Sequence, residues 1–240
     1  MGILEVSKLV KNFGGLTAVN NLSFSIEKGG ILGIVGPNGS GKTTAFNLIT
    51  GFIKPDHGQI FLNGNDITGI RPHQIVRMGM ARTFQLVRVF RHLSVYDNIK
   101  AALLSKYSAD ERKLENKIRE YLTLVGLDGK ISEEAVNLPI GDLKKLEICR
   151  ALATEPNLIL LDEPFSGLTN FEVNQIAGIL SDLMKGGMTI IIVEHVLRAL
   201  RKLVENILVL DFGNKIAEGK FDEVITRKVV RDAYLGGTSA

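Results

Sequence analysis

Residues 31–44 read ILGIVGPNGSGKTT. Ile31 to Val35 make an uncharged apolar run of strand length, which breaks at Gly36 into a glycine-rich turn. From Lys42 to about Thr50 the pattern is that of an amphipathic helix, so the turn joins an interior strand to a helix start. Gly36, Pro37, Asn38, Gly39, Ser40, Gly41, Lys42 and Thr43 satisfy G-x-x-x-x-G-K-[ST] in the context that the motif needs. Glycines let successive backbone N–H groups point inward at phosphate oxygens, and the helix N-terminus adds positive potential. Lys42 supplies a point charge to the outer phosphates, and the Thr43 hydroxyl can ligate Mg²⁺. Thr44 follows in the same cradle. The plain alternative, an incidental lysine in a strand–helix turn, is disfavoured by these flanks.

A partner element is expected on a neighbouring strand: a carboxylate for the metal and a base for water. The stretch NLILLDEP, 157–164, supplies both as Asp162 and Glu163 at the carboxyl end of an apolar strand, where open α/β sheets bind ligands. Asp162 would hold Mg²⁺ through its water shell, and Glu163 would orient and polarise an attacking water.

The rest of the chain alternates strands and helices. ILEVSKL, LSFSIEKG and GQIFLNG read as strands, Arg71 to Gly79 as a short helix and MARTFQ as a strand. From Val95 to about Gly126 the pattern is helical, with Leu114, Ile118, Leu122 and Val125 between charges that read as a solvated face. Another helix runs from the turn LPIGD, 138–142, to about Thr154. Helices over FEVNQIAGILSDLM and VLRALRKL and strands over MTIIIVEH and NILVLDFGNKIAEG complete the alternation, with a hairpin turn expected at Gly213-Asn214. One α/β domain over 1–240 follows, its core at approximately 1–86 and 155–240 and a helical insert at approximately 87–154.

Composition narrows the class. Hydrophobic residues at 45% and charged residues at 23% are ordinary for a globular protein. A net charge of +3 without a Lys/Arg block, and only 6% aromatic residues, argue against nucleic acid as a partner. The single Cys149 excludes an internal disulfide and reads as a buried small hydrophobe in a helix. MGILEVSKLV lacks a signal-peptide pattern, and no apolar stretch approaches the ~20 residues of a spanning helix. A cytoplasmic location is therefore expected.

The order of these elements resembles the ATP-binding subunits of ABC transporters over nearly the whole chain. That resemblance implies a P-loop NTPase (RecA-like) core with an N-terminal antiparallel β subdomain and an α-helical signature subdomain, using ATP and Mg²⁺. It places Gln85, in RTFQ, at the glutamine that contacts the metal and senses the γ-phosphate. His195, in IIIVEH, falls at the switch histidine, and Phe13, in KNFGG, where an aromatic stacks on adenine. LPIGD falls at the signature turn, where Gly141 would meet the ATP of a partner subunit. ITGFIKPDHGQIFLNGNDITG, RMGMARTFQLVRVFRHLSVYDNI and the C-terminal VVRDAYLGG look most like branched-chain amino acid importers.

The signature turn departs from the family's LSGGQ. Pro139 stands at the serine position, removing a hydroxyl and an N–H donor, and Asp142 at the glutamine position. Both suit a helix start. If Asp142 faces the nucleotide, two unit charges ~4 Å apart repel by about 1 kcal/mol in water and about 4 kcal/mol at a dielectric of about 20. Thr169-Asn170 likewise departs from the family's coupling loop. The implied picture is a sound phosphate half-site and a poor signature half-site, working best beside a second, different ATPase subunit. Integral-membrane permease subunits, docked near Leu86 to Tyr96, would hold the chain at the inner face of the membrane, with a solute-binding protein as an indirect partner. An ABC system for another substrate, such as lipid or lipopolysaccharide export, and an ATP-binding regulatory subunit with weak turnover are the alternatives.

Overall fold

The computed structural model describes residues 2–107 and 110–236. The chain opens with three strands, β1 (Leu4–Phe13), β2 (Leu16–Ile26) and β3 (Ile31–Val35). β1 and β2 form a hairpin, whereas β3 leaves for a second sheet and runs into α1 (Lys42–Ile49). β4 (His57–Leu62) returns antiparallel to β1 and the two-residue β5 (Asn65–Asp66) completes a four-stranded sheet in the order β2-β1-β4-β5. α2 (Pro72–Arg77) leads to β6 (Met80–Arg82).

Three helices follow: α3 (Val95–Tyr107), α4 (Glu111–Val125) and α5 (Ile140–Leu152). The helical stretch expected over Val95 to Gly126 is thus two helices. The side chain of Asp110 accepts a hydrogen bond from the Lys113 N–H at 2.9 Å and caps the start of the second. Leu114, Ile118, Leu122 and Val125 are its buried stripe, as their spacing implied, and Cys149 is buried in α5.

β7 (Leu158–Asp162), α6 (Asn170–Lys185), β8 (Thr189–Val193), α7 (Leu197–Leu200) and β9 (Asn206–Asp211) resume the alternation. The helix expected over VLRALRKL is only the single turn α7, beyond which the chain winds on in turns. β10 (Asn214–Lys220), α8 (Phe221–Val224) and α9 (Lys228–Gly236) end the described chain. The β9–β10 turn is centred on Phe212-Gly213, one residue earlier than expected. Asn214 is already in the ladder opposite Asp211, and its amide donates to the Phe212 carbonyl at 2.9 Å.

The second sheet runs β10-β9-β3-β8-β7-β6, parallel except for β10. Every residue of β7 and β8 is buried, because a parallel sheet is covered on both faces. One apolar cluster, including Leu4, Leu9, Phe46, Ile49 and Ile60, fills the space between the four-stranded sheet, α1 and this sheet. A second, including Ile159, Leu161, Ile176 and Leu180, lies under α6. A third ties α3, α4 and α5 together through Ile99, Leu103, Ile118 and Leu146. Because β3 has β8 as a direct neighbour and β7 next beyond it, the carboxyl ends of three strands from distant parts of the sequence open at one place.

Candidate active site

The glycine loop leaves β3 at Gly36 with φ 152°, where a Cβ would stand 2.1 Å from the Leu210 carbonyl oxygen. At Gly41, φ 102°, a Cβ would stand 2.4 Å from the Ala18 carbonyl oxygen. Close backbone approach therefore requires both glycines. Lys42 is buried and curls back over the loop, its Nζ donating to the carbonyls of Gly36 at 2.7 Å and Pro37 at 2.8 Å. Burial lowers its pKa, opposed by the nearby charges of Glu163 and Asp162. No side chain caps the start of α1, which leaves its first-turn N–H groups for a ligand.

A cleft of about 410 Å³ opens here. Asn38, Gly39, Ser40, Gly41, Lys42, Thr43 and Thr44 line it together with Gln85 and Glu163, and Phe13 and Leu16 add apolar surface. Phe13 is half exposed, with the Lys11 ammonium 5.6 Å from its ring centroid.

Asp162 ends β7 fully buried. Its Oδ2 pairs with the Arg82 guanidinium at 2.7 Å, while its Oδ1 is buried without a partner. Burial pushes the Asp162 carboxyl up and Arg82 pulls it down. Arg82 also donates to Asn47 Oδ1 at 2.7 Å and Thr50 Oγ1 at 3.1 Å, and its guanidinium lies 5.0 to 5.7 Å from the ring centroids of Phe84, Phe46 and Phe52. Removing Arg82 would leave an uncompensated buried carboxylate, a loss of about 3–5 kcal/mol.

Glu163 follows in the left-handed region, φ 49°, its N–H donating to the Val193 carbonyl at 2.9 Å. Gln85 Nε2 donates to Glu163 Oε2 at 3.0 Å, and His195 Nδ1 stands 3.5 Å from the same oxygen. Three residues from three separate segments thus meet at one carboxylate oxygen. Gln85 has its hydrogen bond to Glu163 and none to Asp162. Glu194 is a buried carboxylate that accepts from the N–H groups of Phe165 at 2.8 Å, His195 at 3.0 Å and Val196 at 3.1 Å. Burial raises its pKa. It pins the turn after Glu163 to the turn that carries His195.

The family model described as ABC transporter matches residues 19–166, a span that contains the glycine loop, Gln85, Asp162 and Glu163. The chain belongs to the ABC transporter family. It is 35% identical over 247 residues to the probable branched-chain amino acid transport ATP-binding protein LivG of Archaeoglobus fulgidus, covering 98% of this chain and 96% of that one. To the high-affinity branched-chain amino acid transport ATP-binding protein BraF of Pseudomonas aeruginosa it is 34% identical over 249 residues, covering 98% of each. A nucleotide-free ATP-binding cassette from an ABC transporter superposes with a TM-score of 0.88 at 30% identity, covering 98% of this chain and 99% of that one. The fold is accordingly that of ABC ATPase cassettes, with a P-loop NTPase core.

In this ABC family member Gly141 does not line the 410 Å³ cleft. It sits in the first turn of α5, whose N-cap Pro139 provides no side-chain acceptor. Asp142 is not a lone charge: Lys130 Nζ lies 2.7 Å from one of its oxygens and Lys145 Nζ 3.2 Å from the other. Burial works against the charged form, but these two ammonium groups outweigh it and hold the carboxyl below its ordinary value. The repulsion considered from the sequence is therefore offset within the chain. A Cβ at Gly141 would stand 2.3 Å from Glu172 Oε1. Glu172 belongs to a capping box at the start of α6, its Oε2 accepting from the Thr169 N–H and hydroxyl at 2.8 Å each.

Two further α5 residues face inward. Lys144 is buried and donates to the Glu163 carbonyl at 2.7 Å. Glu147, buried, accepts from the N–H groups of Phe84 at 3.2 Å and Arg88 at 3.0 Å, clasping the segment on either side of Gln85. Burial raises its pKa to about 7.

Proposed function

We propose that the chain is the ATP-binding and hydrolysing subunit of an ABC importer for branched-chain amino acids. The observation that carries this reading is the meeting of Gln85 and His195 at Glu163 Oε2, beside a glycine loop that holds Lys42. The names of the full-length relatives support the importer and its passenger.

In this reading Gly36, Pro37, Asn38, Gly39, Ser40, Gly41 and Thr44 surround the phosphates with backbone and hydroxyl donors, Lys42 turns from the loop carbonyls to the outer phosphates, and Phe13 stacks on adenine. Glu163 accepts a proton of the attacking water as the water oxygen adds to the γ-phosphorus and the bond to the bridging β-phosphate oxygen breaks, releasing ADP. Gln85 and His195 orient that carboxylate and sense the γ-phosphate. Mg²⁺ fits the donor set, since Asp162 Oδ1 is a buried acceptor with no partner, and Glu163, the residue next to it, lines the 410 Å³ cleft with Thr43 and Gln85. Among the described residues no cluster of three His, Cys, Asp or Glu side chains could hold a metal alone, as suits an ion shared with substrate phosphates. Bound there, Mg²⁺ would neutralise charge on the phosphate oxygens.

Gly141 would act in trans, in a homodimer or beside a second ATPase subunit. Residues 1–240 form one cassette with the helical part at approximately 87–154. Among the described residues no helix is long and apolar enough to cross a membrane, so permease subunits would hold the chain at the inner face. Leu86, Phe90 and Leu93 expose apolar surface just after Gln85 and would receive them. The reading is tested by steady-state ATP hydrolysis with Mg²⁺ and with chelator, across protein concentration. Mg²⁺-dependent turnover that climbs with concentration supports it and the homodimer. Binding without turnover at every concentration supports a chain that waits for another subunit's signature turn. Failure to bind ATP overturns it.

A further inference from the structure

The β9–β10 turn has positive φ at both central residues, 42° at Phe212 and 78° at Gly213. A two-residue hairpin turn of this kind favours Asn-Gly, because the first position must tolerate the left-handed region. A bulky aromatic there is a true outlier. It is also out of place by solvation, for the Phe212 side chain is 81% exposed. Folding gains nothing from this choice of residue.

The turn is fastened to the phosphate site. The Gly213 N–H donates to the Ser40 carbonyl at 3.0 Å, and the Gly213 carbonyl accepts from the Asn20 N–H at 2.8 Å. The Asn20 and Asn214 side chains add a hydrogen bond at 2.9 Å. The hairpin is therefore held to the glycine loop and to β2, whose first residue, Leu16, is itself exposed. Phe212 lines the 410 Å³ cleft with Phe13 and Leu16. It also borders a neighbouring cleft of about 710 Å³ under α9. Strain and exposure without structural return mark residues kept for a ligand.

We infer that Phe212 is a second apolar wall of the nucleotide cleft, contacting the base or ribose of ATP from the β9–β10 turn. This rests on the cleft being the ATP site. Phe13 and Leu16 supply apolar surface from the β1–β2 turn and Phe212 supplies it from the hairpin, while the phosphates belong to Lys42 and the loop. The strained backbone holds the ring where a relaxed turn would carry a small polar residue.

The test compares ATP and inorganic tripolyphosphate binding to the full chain with Phe212→Asn and Phe212→Trp. Losing one aromatic contact to a base or ribose raises the ATP dissociation constant about tenfold. In Phe212→Asn that loss is expected with unchanged tripolyphosphate affinity and a melting temperature equal to or above that of the parent, since Asn relieves the turn. Phe212→Trp, which keeps a ring, is expected to retain ATP affinity. An ATP affinity within twofold of the parent in Phe212→Asn overturns the inference, as does a parallel loss for tripolyphosphate, which would make the turn a prop for the loop. A parent protein that binds neither probe would instead overturn the nucleotide reading itself.

Discussion

The ammonium of Lys144 donates to the main-chain carbonyl of Glu163 at 2.7 Å, so the helix behind the signature turn is tied to the backbone of a residue that lines the 410 Å³ cleft in the same chain. Lys144→Met keeps the stem but leaves that carbonyl unpaired, lowering stability by about 1–3 kcal/mol. Because Glu163 is then less well positioned, kcat is expected to fall about tenfold or more with ATP affinity retained. Urea unfolding and steady-state ATPase assays check both; an unchanged kcat would make Lys144 a packing residue only.

Glu163→Gln keeps the shape and the contact with Gln85 but removes the carboxylate proposed as the base. ATP hydrolysis is expected to fall by about 10²–10⁴-fold while ATP still binds. Single-turnover hydrolysis measured alongside equilibrium binding separates the two, and a variant that hydrolyses at the parent rate would move the base elsewhere.

Glu147 carries a pH signature. Burial raises its carboxyl from 4.5 to about 7 in the folded chain. Between those values the folded state keeps a proton that the unfolded chain releases, so this group's stabilising contribution is full below about 4.5 and is lost as pH rises through about 7. The whole effect is ~3 kcal/mol. Glu147→Gln should flatten that part of the stability profile, read as urea midpoints at pH 5 and pH 8. A variant whose profile parallels the parent would show that Glu147 stays ionised throughout.

At the signature turn the structure separates the two departures. Asp142 is neutralised by Lys130 and Lys145, whereas nothing replaces the hydroxyl and N–H lost at Pro139. Pro139→Ser is therefore expected to raise the ATPase activity of the isolated chain several-fold, and Asp142→Gln alone to change it little. Specific activity across protein concentration measures this, and a gain confined to Asp142→Gln would reverse the assignment.

The glycine loop and the Asp162-Glu163 pair were legible in the sequence because their chemistry needs contiguous residues next to an apolar strand. Gln85 and His195 were legible only through the order of motifs, since alone the first reads as a surface polar residue and the second as a satisfied helix-start histidine. Arg82, Glu147 and Glu194 carry no signal in the sequence alone, and Lys144 reads only as a basic residue behind the turn. In LKKLEICR the charged residues Lys144, Lys145 and Glu147 are all buried, which the helical spacing alone does not announce. Arg82 sits in a short strand where its partners Asp162, Asn47, Phe46 and Phe52 come from other segments. The hairpin turn was misplaced by one residue because Gly-Asn is the better local signal, and the ladder register at Asp211 and Asn214 overrode it.

The contact between Gly141 and Glu172 has a mechanical consequence. A side chain at 141 would press on Glu172, whose carboxylate also serves the Thr169 cap, so the signature turn and the first turn of α6 meet at one carboxylate. A displacement of the turn is therefore expected to reach the start of α6, some thirty residues later in the chain, and a spectroscopic label near Thr169 would report it without touching the turn itself.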